Sequence, residues 1–325
     1  RTDKVGMTSA VIVALFLLLV LAAALGMIAK DWQAERGVPD APPTFVGPAA
    51  KPASVVSAST AAPTGPNVDI SAIDPLAPRY AEWAEAARKY QTTATVKADT
   101  LPFGADRLGR DVLAKAIKGA EVSIFVGVSA ALLATVIGTL LGAIAGYFGG
   151  RVGDFLEWVY NVFTAVPGIL LIFAFAAVFG RGIGSVVLIL GLAGWTGIYR
   201  LMRAEFLKHA VRDYVRSAEA IGAGTGSRMF RHILPNVSHV VLVQLSIHVV
   251  GFIKSEVILS YLGLGVGVEQ VSWGTMLAEA QSELILGHWW QLAAATLFMA
   301  VFVTAFSLMT DALRDALDPK LRGLE

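Results

Sequence analysis

The sequence predicts an all-α integral membrane protein with six transmembrane helices, and three observations carry that reading. The 325 residues are 55% hydrophobic with a mean hydropathy of +0.64, whereas soluble domains hold roughly 45–50% apolar residues. Five uncharged runs, at 10–29, 122–150, 158–180, 182–199 and 289–310, supply about the 20 apolar residues that a hydrocarbon core of about 30 Å requires. A sixth run at 237–266 matches them except for Lys254 and Glu256 in its second half.

The first run admits two readings, because a basic start before an apolar stretch also describes a signal peptide. Its length exceeds the roughly 7–15 residues of a signal core, and 27–30 offers no small-x-small cleavage site. Residues 1–29 are therefore expected to remain as an anchor. Residues 30–121 then form a long segment between the first two spans. Nine of the thirteen prolines fall between Pro39 and Pro78 amid Ala, Ser and Thr, a composition expected to give an extended or partly disordered strap that buries little. Within it, 79–90 (RYAEWAEAARKY) has helical composition with Tyr80, Trp83 and Ala87 on one face. That helix suits contact with a partner, or equally with the bilayer surface or the protein itself.

The remaining five spans make a core over 122–325. Pro167 interrupts the third span and is expected to kink it where the freed carbonyl faces a neighbour or a water-filled cavity. Gly138, Gly142 and Gly146 recur every fourth residue in the second span, the spacing of close helix packing in lipid. Basic residues set the orientation, since cytoplasmic loops carry the Lys and Arg excess. Arg1, Lys4, Arg151, Arg203, Lys208, Arg212, Arg216, Arg228, Arg231, Arg314, Lys320 and Arg322 all lie on one side of this layout. The opposite loops hold only Arg181 around 180–184 and no Lys or Arg across 267–288. Both termini are thus expected in the cytoplasm and the 30–121 segment outside it.

The balance of 26 basic and 25 acidic residues gives no reason to expect nucleic acid as a partner. With no cysteine, disulfides, thiolate metal sites and thiol nucleophiles are excluded. The histidines at 209, 232, 239, 248 and 288 lack metal-ligand spacing, and no G-x-x-x-x-G-K-[ST] phosphate loop occurs. No catalytic site, bound cofactor or metal is expected, and the chain is not read as an enzyme.

The unusual region is the cytoplasmic loop 200–236, RLMRAEFLKHAVRDYVRSAEAIGAGTGSRMFRHILPN, far longer than the handful of residues that most connections need. Composition favours a helix over 203–221, a break at Gly222, Gly224 and Gly226, and a second short helix over 227–233 halted at Pro235. The stretch YVRSAEAIGA at 214–223, followed by RHILPN at 231–236, resembles the coupling loop of ABC importer permeases, a motif written EAA, three residues, Gly, nine residues, Ile, one residue, Leu-Pro. Aligned on Gly222, Pro235 falls at the expected place. The motif's Glu falls on Arg216, its first Ala on Ser217 and its Ile on His232, with Ile233 one place later. Residues 101–112 (LPFGADRLGRDV) and 259–277 (LSYLGLGVGVEQVSWGTML) resemble the corresponding stretches of C-type dipeptide and oligopeptide permeases, and the likeness covers roughly 101–323.

The resemblance implies a type I ABC importer permease fold in a bacterial inner membrane. Its partners would be a second homologous permease, two cytoplasmic ATPases that bind ATP and Mg, and an extracytoplasmic peptide-binding protein. The ATPase contact would map onto Arg212, Asp213, Tyr214, Arg216, Ser217, Ala218, Glu219, Ala220, Gly222 and Ala223, with Leu234 and Pro235 closing the motif. For any single charge in that set, plain solvation is the competing reading.

Charges inside a span cost about 2.5–3.5 kcal/mol on insertion scales and are candidates for function. Lys254 and Glu256 point about 200° apart on a helix, while His248 and Glu256, eight apart, share a face. His248, Lys254, Glu256 and Pro167 are therefore candidates for a translocation path, with an inter-subunit hydrogen bond as the alternative for Glu256. The function expected is that of a pore subunit for di- or oligopeptides. A related cargo such as nickel chelates or glutathione stays open, as does a proton-coupled secondary transporter built on Glu256, Lys254 and His248. A membrane scaffold would leave both the long loop and these charges without a purpose.

Overall fold

The computed structural model describes residues 4–48, 74–89 and 97–317. Twelve helices follow in order: α1 Lys4–Ala24, α2 Tyr80–Lys89, α3 Val112–Phe148, α4 Gly150–Ala165, α5 Gly168–Phe179, α6 Ile183–Gly194, α7 Thr196–Ala210, α8 Asp213–Ala220, α9 Thr225–Ser227, α10 Leu234–Tyr261, α11 Trp273–Ile285 and α12 Trp290–Leu317. A π-helical turn, Arg228–Ile233, joins α9 to α10. Among the described residues four runs are long and apolar enough to cross a membrane alone: α1, α3, the continuous 225–261 rod and α12. The pairs α4–α5 and α6–α7 are bent by 89° and 43°, and the number of crossings reaches six where each bent pair is one span.

The start of α3 is set by Asp111, whose carboxylate accepts the Leu113 and Ala114 N–H groups at 2.9 and 3.4 Å, an N-cap. The helix thus begins ten residues before the apolar run does, and the expected domain boundary at 121 lies inside it. Pro167 does more than kink a span. Val166, forced extended by the following proline, ends α4 at φ −93°, ψ 130°, and α5 sets off at 89° to it.

α3 is the central strut. Its glycines accept α7 at close range: a methyl built on Gly138 would stand 2.6 Å from the Trp195 carbonyl oxygen, and one on Gly142 would stand 2.7 Å from that of Tyr199. Gly146 meets Arg203 in the same way. Each four-residue step on α3 matches a four-residue step on α7, as small residues allow in lipid. α1 packs on α12 and α3, with Phe16 against Phe298 and Phe302 at ring distances of 6.0 and 5.4 Å.

The two ends of this bundle differ. At one end, here the cap end, residues 31–48 return to lie beside 97–111. Gly37 N–H bonds the Gly109 carbonyl, Thr44 N–H that of Leu101, and Ala105 N–H that of Ala41, at 2.8–2.9 Å. Ala41, Pro42 and Pro43 are buried. The expectation of a loose strap that buries little fails at 41–43, because backbone pairing with 98–111 gives Pro42 and Pro43 a surface to cover, while Pro39 is exposed. Residues 49–73 of the strap, and Arg1, Lys320 and Arg322, lie outside the described residues. The expected helix at 79–90 is α2, where Tyr80 and Trp83 are exposed and their rings lie 6.0 Å apart.

At the opposite, loop end, the expected helix over 203–221 is two helices. Arg212 is extended (φ −74°, ψ 149°) between α7 and α8. Nor does Pro235 halt a helix. It sits in the first turn of α10, where a missing N–H is harmless, and the π turn before it leads into α10 unbroken: the Leu234 N–H reaches back five residues to the Met229 carbonyl.

Candidate functional site

The sequence motif at the loop end folds into a compact unit. In α8 only Val215 and Ala218 are buried, three residues apart on the inner face, and Val215 joins an apolar cluster with Phe206, Met229 and Ile233. Arg212, Asp213, Arg216, Ser217, Glu219 and Ala220 face out. Gly222 stops the helix at φ +90°. Its N–H bonds the Glu219 carbonyl and the Ala223 N–H bonds that of Ala218, both at 2.9 Å, which is the Schellman pattern. Among the described residues nothing packs within 4 Å of a methyl built on Gly222, so glycine is required there by backbone conformation and not by space.

Two contacts tie α8 to its neighbours. Glu219 pairs with Arg228 of the π turn at 2.5 Å, and that guanidinium lies 5.7 Å from the Tyr147 ring centre on α3. The Tyr214 hydroxyl meets His209 Nδ1 at 2.8 Å, and burial raises the phenol above its usual range. Beyond them Val211, Phe230 and Ile221 stand exposed, Ile221 by 85%. Leu234 is half-buried and Pro235 exposed.

The four translocation candidates do not form one constellation. Pro167 is exposed at the α4–α5 bend, and Lys254 is exposed on α10. His248 is half-buried, its Nδ1 at 2.8 Å from the Gln244 carbonyl and its ring 5.4 Å from Phe252. Glu256 is fully buried within this chain's own packing, receiving hydrogen bonds from Ser123 Oγ at 2.7 Å and Ser260 Oγ at 2.6 Å. The expectation that its face turns outward, to a pore or a second subunit, gives way to a contact between α10 and α3. Periodicity placed it on a face with His248 but carried no information on which face α3 covers.

Sequence reasoning gave no role to the ionic cluster at the cap end. Lys115 Nζ, on a side chain 1% exposed, touches Asp106 Oδ2 at 2.7 Å, Glu279 Oε2 at 2.5 Å and Gln291 Oε1 at 2.9 Å. Asp106 also receives Arg110 Nε at 2.6 Å and the Leu108 and Arg110 N–H groups at 2.9 Å. Burial alone pushes the Asp106 carboxyl up, but Lys115 and Arg110 outweigh it and hold the group below the ordinary carboxylate range. Glu283 has weaker support, a single Arg107 N–H at 3.1 Å, and burial raises its carboxyl. The one available signal was that Asp106, Arg110, Lys115 and Glu279 lie in or beside the 101–112 and 259–277 stretches.

Residues 138–323 match the model of the family described as binding-protein-dependent transport system inner membrane component. The chain is 37% identical over 220 residues to the dipeptide transport system permease protein DppC of Bacillus subtilis (strain 168), covering 68% of this chain and 69% of that protein. It is 36% identical over 238 residues to the oligopeptide permease OppC of the same organism, covering 72% and 78%. To the glutathione transport system permease protein GsiD of Escherichia coli O6:K15:H31 (strain 536 / UPEC) it is 37% identical over 222 residues, covering 68% and 73%. Among solved structures, a chain of the inward-facing MetNI methionine ABC transporter superposes with TM-score 0.51 at 13% identity, over 63% of this chain and 96% of that one, a likeness of fold. The family match spans more than half of the sequence and its residues include the whole α8 motif: the chain belongs to the binding-protein-dependent transport system inner membrane components.

Proposed function

We propose that this chain is the transmembrane pore subunit of an ATP-driven importer of di- and oligopeptides in a bacterial inner membrane. The observation that carries the reading is α8, a short helix held by Val215 and Ala218 on one face and ended by Gly222, with its other face exposed. The names of the dipeptide and oligopeptide relatives supply the cargo. Two cytoplasmic ATPases, which bind ATP and Mg, would each receive a coupling helix, this chain's α8 filling one groove. A second homologous permease would complete the pore, and an extracytoplasmic binding protein would deliver peptide. In this arrangement both termini and α8 are cytoplasmic, α1 is a retained anchor, and the 30–121 segment lies outside.

The mechanics follow from rigidity. A helix fixed to Met229 and Ile233 moves as a body, whereas a flexible loop would absorb the displacement. Arg212, Asp213, Arg216 and Ser217 would meet the ATPase surface through exposed pairs, and Tyr214, Ile221 and Ala220 would add apolar area. Glu219 supports α8 through Arg228, and Leu234 and Pro235 start the rod that carries the motion. His248, Lys254 and the Pro167 bend remain the candidates for the path. Glutathione, a tripeptide, is the second reading, favoured by the similarity to GsiD.

The test is purification with the neighbouring gene products from membranes. An ATPase is expected to co-purify with the wild-type chain, and Gly222→Leu is expected to abolish ATP-dependent dipeptide uptake. Absence of any ATPase, or full uptake by Gly222→Leu, rejects the proposal. Uptake that survives collapse of the proton gradient rejects the proton-coupled alternative.

A further inference from the structure

Glu256 lies at one end of an unbroken helical rod whose other end is the α8 unit. The run Thr225–Tyr261 has 37 residues, about 55 Å at 1.5 Å per residue. At the loop end Met229 and Ile233 of this run hold α8. At the cap end its last turns meet the N-terminus of α11, and the approach is close. A methyl on Gly274 would stand 2.5 Å from the Val257 carbonyl oxygen and 2.7 Å from Ser260 Cβ, and one on Gly119 of α3 would stand 3.2 Å from Trp273 N.

The direction of each proton at this junction can be worked out. Ser123 Oγ receives the Trp273 N–H at 3.2 Å, and Ser260 Oγ receives the Val266 N–H at 3.3 Å. Each serine has one proton to give, and each gives it to a separate oxygen of Glu256, at 2.7 and 2.6 Å. The carboxyl group is therefore the common acceptor of two chains, one entering from the first residue of α11 through α3, the other from the 262–272 turn through α10. Lys254 is exposed and does not neutralise it. A buried acceptor of this kind costs free energy unless its partners are all in place, and here α3 and α10 each supply one, each serine in turn held by a backbone N–H of the 262–273 stretch.

We propose that Glu256 is a positioning residue of the transport cycle. By accepting from Ser123 and Ser260 it fastens α11 and the 262–272 turn to the α3–α10 pair, so that displacement applied to α8 is delivered along the 225–261 rod to α11 at the far end of the bundle. This rests on the proposed ATPase contact at α8 and adds the place where the motion is delivered.

Because the chain has no cysteine, a single introduced thiol reports its own surroundings. Met276→Cys places one on α11, and Met202→Cys places one on α7; both positions are fully buried. Labelling of each by a maleimide is compared in the assembled complex, in native membranes, with Glu256 intact, with Glu256→Gln and with Glu256→Ala. Glu256→Ala is expected to speed labelling at Met276→Cys at least about tenfold while leaving Met202→Cys unchanged, and to cut dipeptide uptake at least about tenfold with ATPase co-purification unaffected. Glu256→Gln has one acceptor where two are needed and is expected to fall between.

Equal labelling at Met276→Cys in all three backgrounds overturns the proposal, as does unchanged uptake. Parallel acceleration at both thiols also overturns it, since Glu256 would then hold the fold at large and nothing specific to α11. Failure of the ATPase to co-purify with wild type is a different result, which removes the α8 reading without touching the Glu256 geometry.

Discussion

The loop end and the cap end solve opposite problems. At the loop end, α8 is fixed by two small apolar side chains, one exposed ion pair and a glycine stop, and most of its charged groups face outward. At the cap end, charge is turned inward: Asp106 and Lys115 are buried, and the partners on α11 and α12 are fully matched around Lys115. Under the proposed function, an element to be gripped by another protein needs free charged and apolar surface on a firm base. Parts that hold membrane helices in register need satisfied polar contacts away from water, where a broken contact is expensive.

The largest effect should come from breaking the cap. Lys115→Met leaves Asp106 buried opposite Glu279 without the central cation, and losing one partner of a buried pair costs about 3–5 kcal/mol. Arg110 still pairs with Asp106, so the lower end of that range is expected, read as a fall in the thermal unfolding midpoint of the purified complex. Adding Asp106→Asn should recover part of the loss, because the stranded charge goes with it. Recovery of nothing would mean that shape, and not charge, holds this corner.

Next in size is Gly222. Alanine at φ +90° costs about 1–2 kcal/mol of local strain, and since no atom of the described residues packs within 4 Å of the added methyl, Gly222→Leu should destabilise the isolated chain by a similar amount. Uptake should separate the two: Ala reduces it several-fold, Leu abolishes it. Equal uptake would mean that no partner surface covers this position.

How much of each end was legible in the sequence follows from which interactions have local signatures. Spans are long apolar runs, and the four that cross as single helices were readable. So were the close-packing glycines of α3 and the stop at Gly222, because a four-residue spacing and a glycine after a helix each have one dominant physical cause. The break at Arg212 and the passage of the rod through Pro235 were not, since tertiary contact with Phe206 and Met229 decides them. The cap cluster joins positions 106, 115, 279 and 291, brought together only by the fold. Glu256 was visible as an expensive charge, but its partners Ser123 and Ser260 look like any other serines until α3 and α10 are set side by side.

Within the cap end, two carboxyls should respond to pH in opposite senses. Asp106 is held below its ordinary 3.8, so it stabilises the cap above that value and the contribution is lost as pH falls through the depressed one. Glu283 is raised above its ordinary 4.5; it favours the fold below that value, and the benefit is lost as pH rises through the elevated one. The unfolding midpoint should therefore pass through a maximum, and Glu283→Gln, which keeps a neutral group of the same shape, should flatten the decline on its alkaline side. An unchanged decline would show that Glu283 is not the group that titrates.

The smallest effect belongs to the pair that joins α8 to the π turn. Arg228 is 17% exposed at its side chain but Glu219 is 62% exposed, and so open a pair contributes about 0.2–1 kcal/mol. A double-mutant cycle of Glu219→Gln and Arg228→Gln should give a coupling energy in that range, reduced by salt. Arg228→Gln alone should cost more than Glu219→Gln alone, because it also removes the cation from the face of Tyr147. If the two single losses are equal, the ring contact adds nothing to the ion pair. Uptake should follow the same order, since a helix held less firmly passes on less of any push it receives.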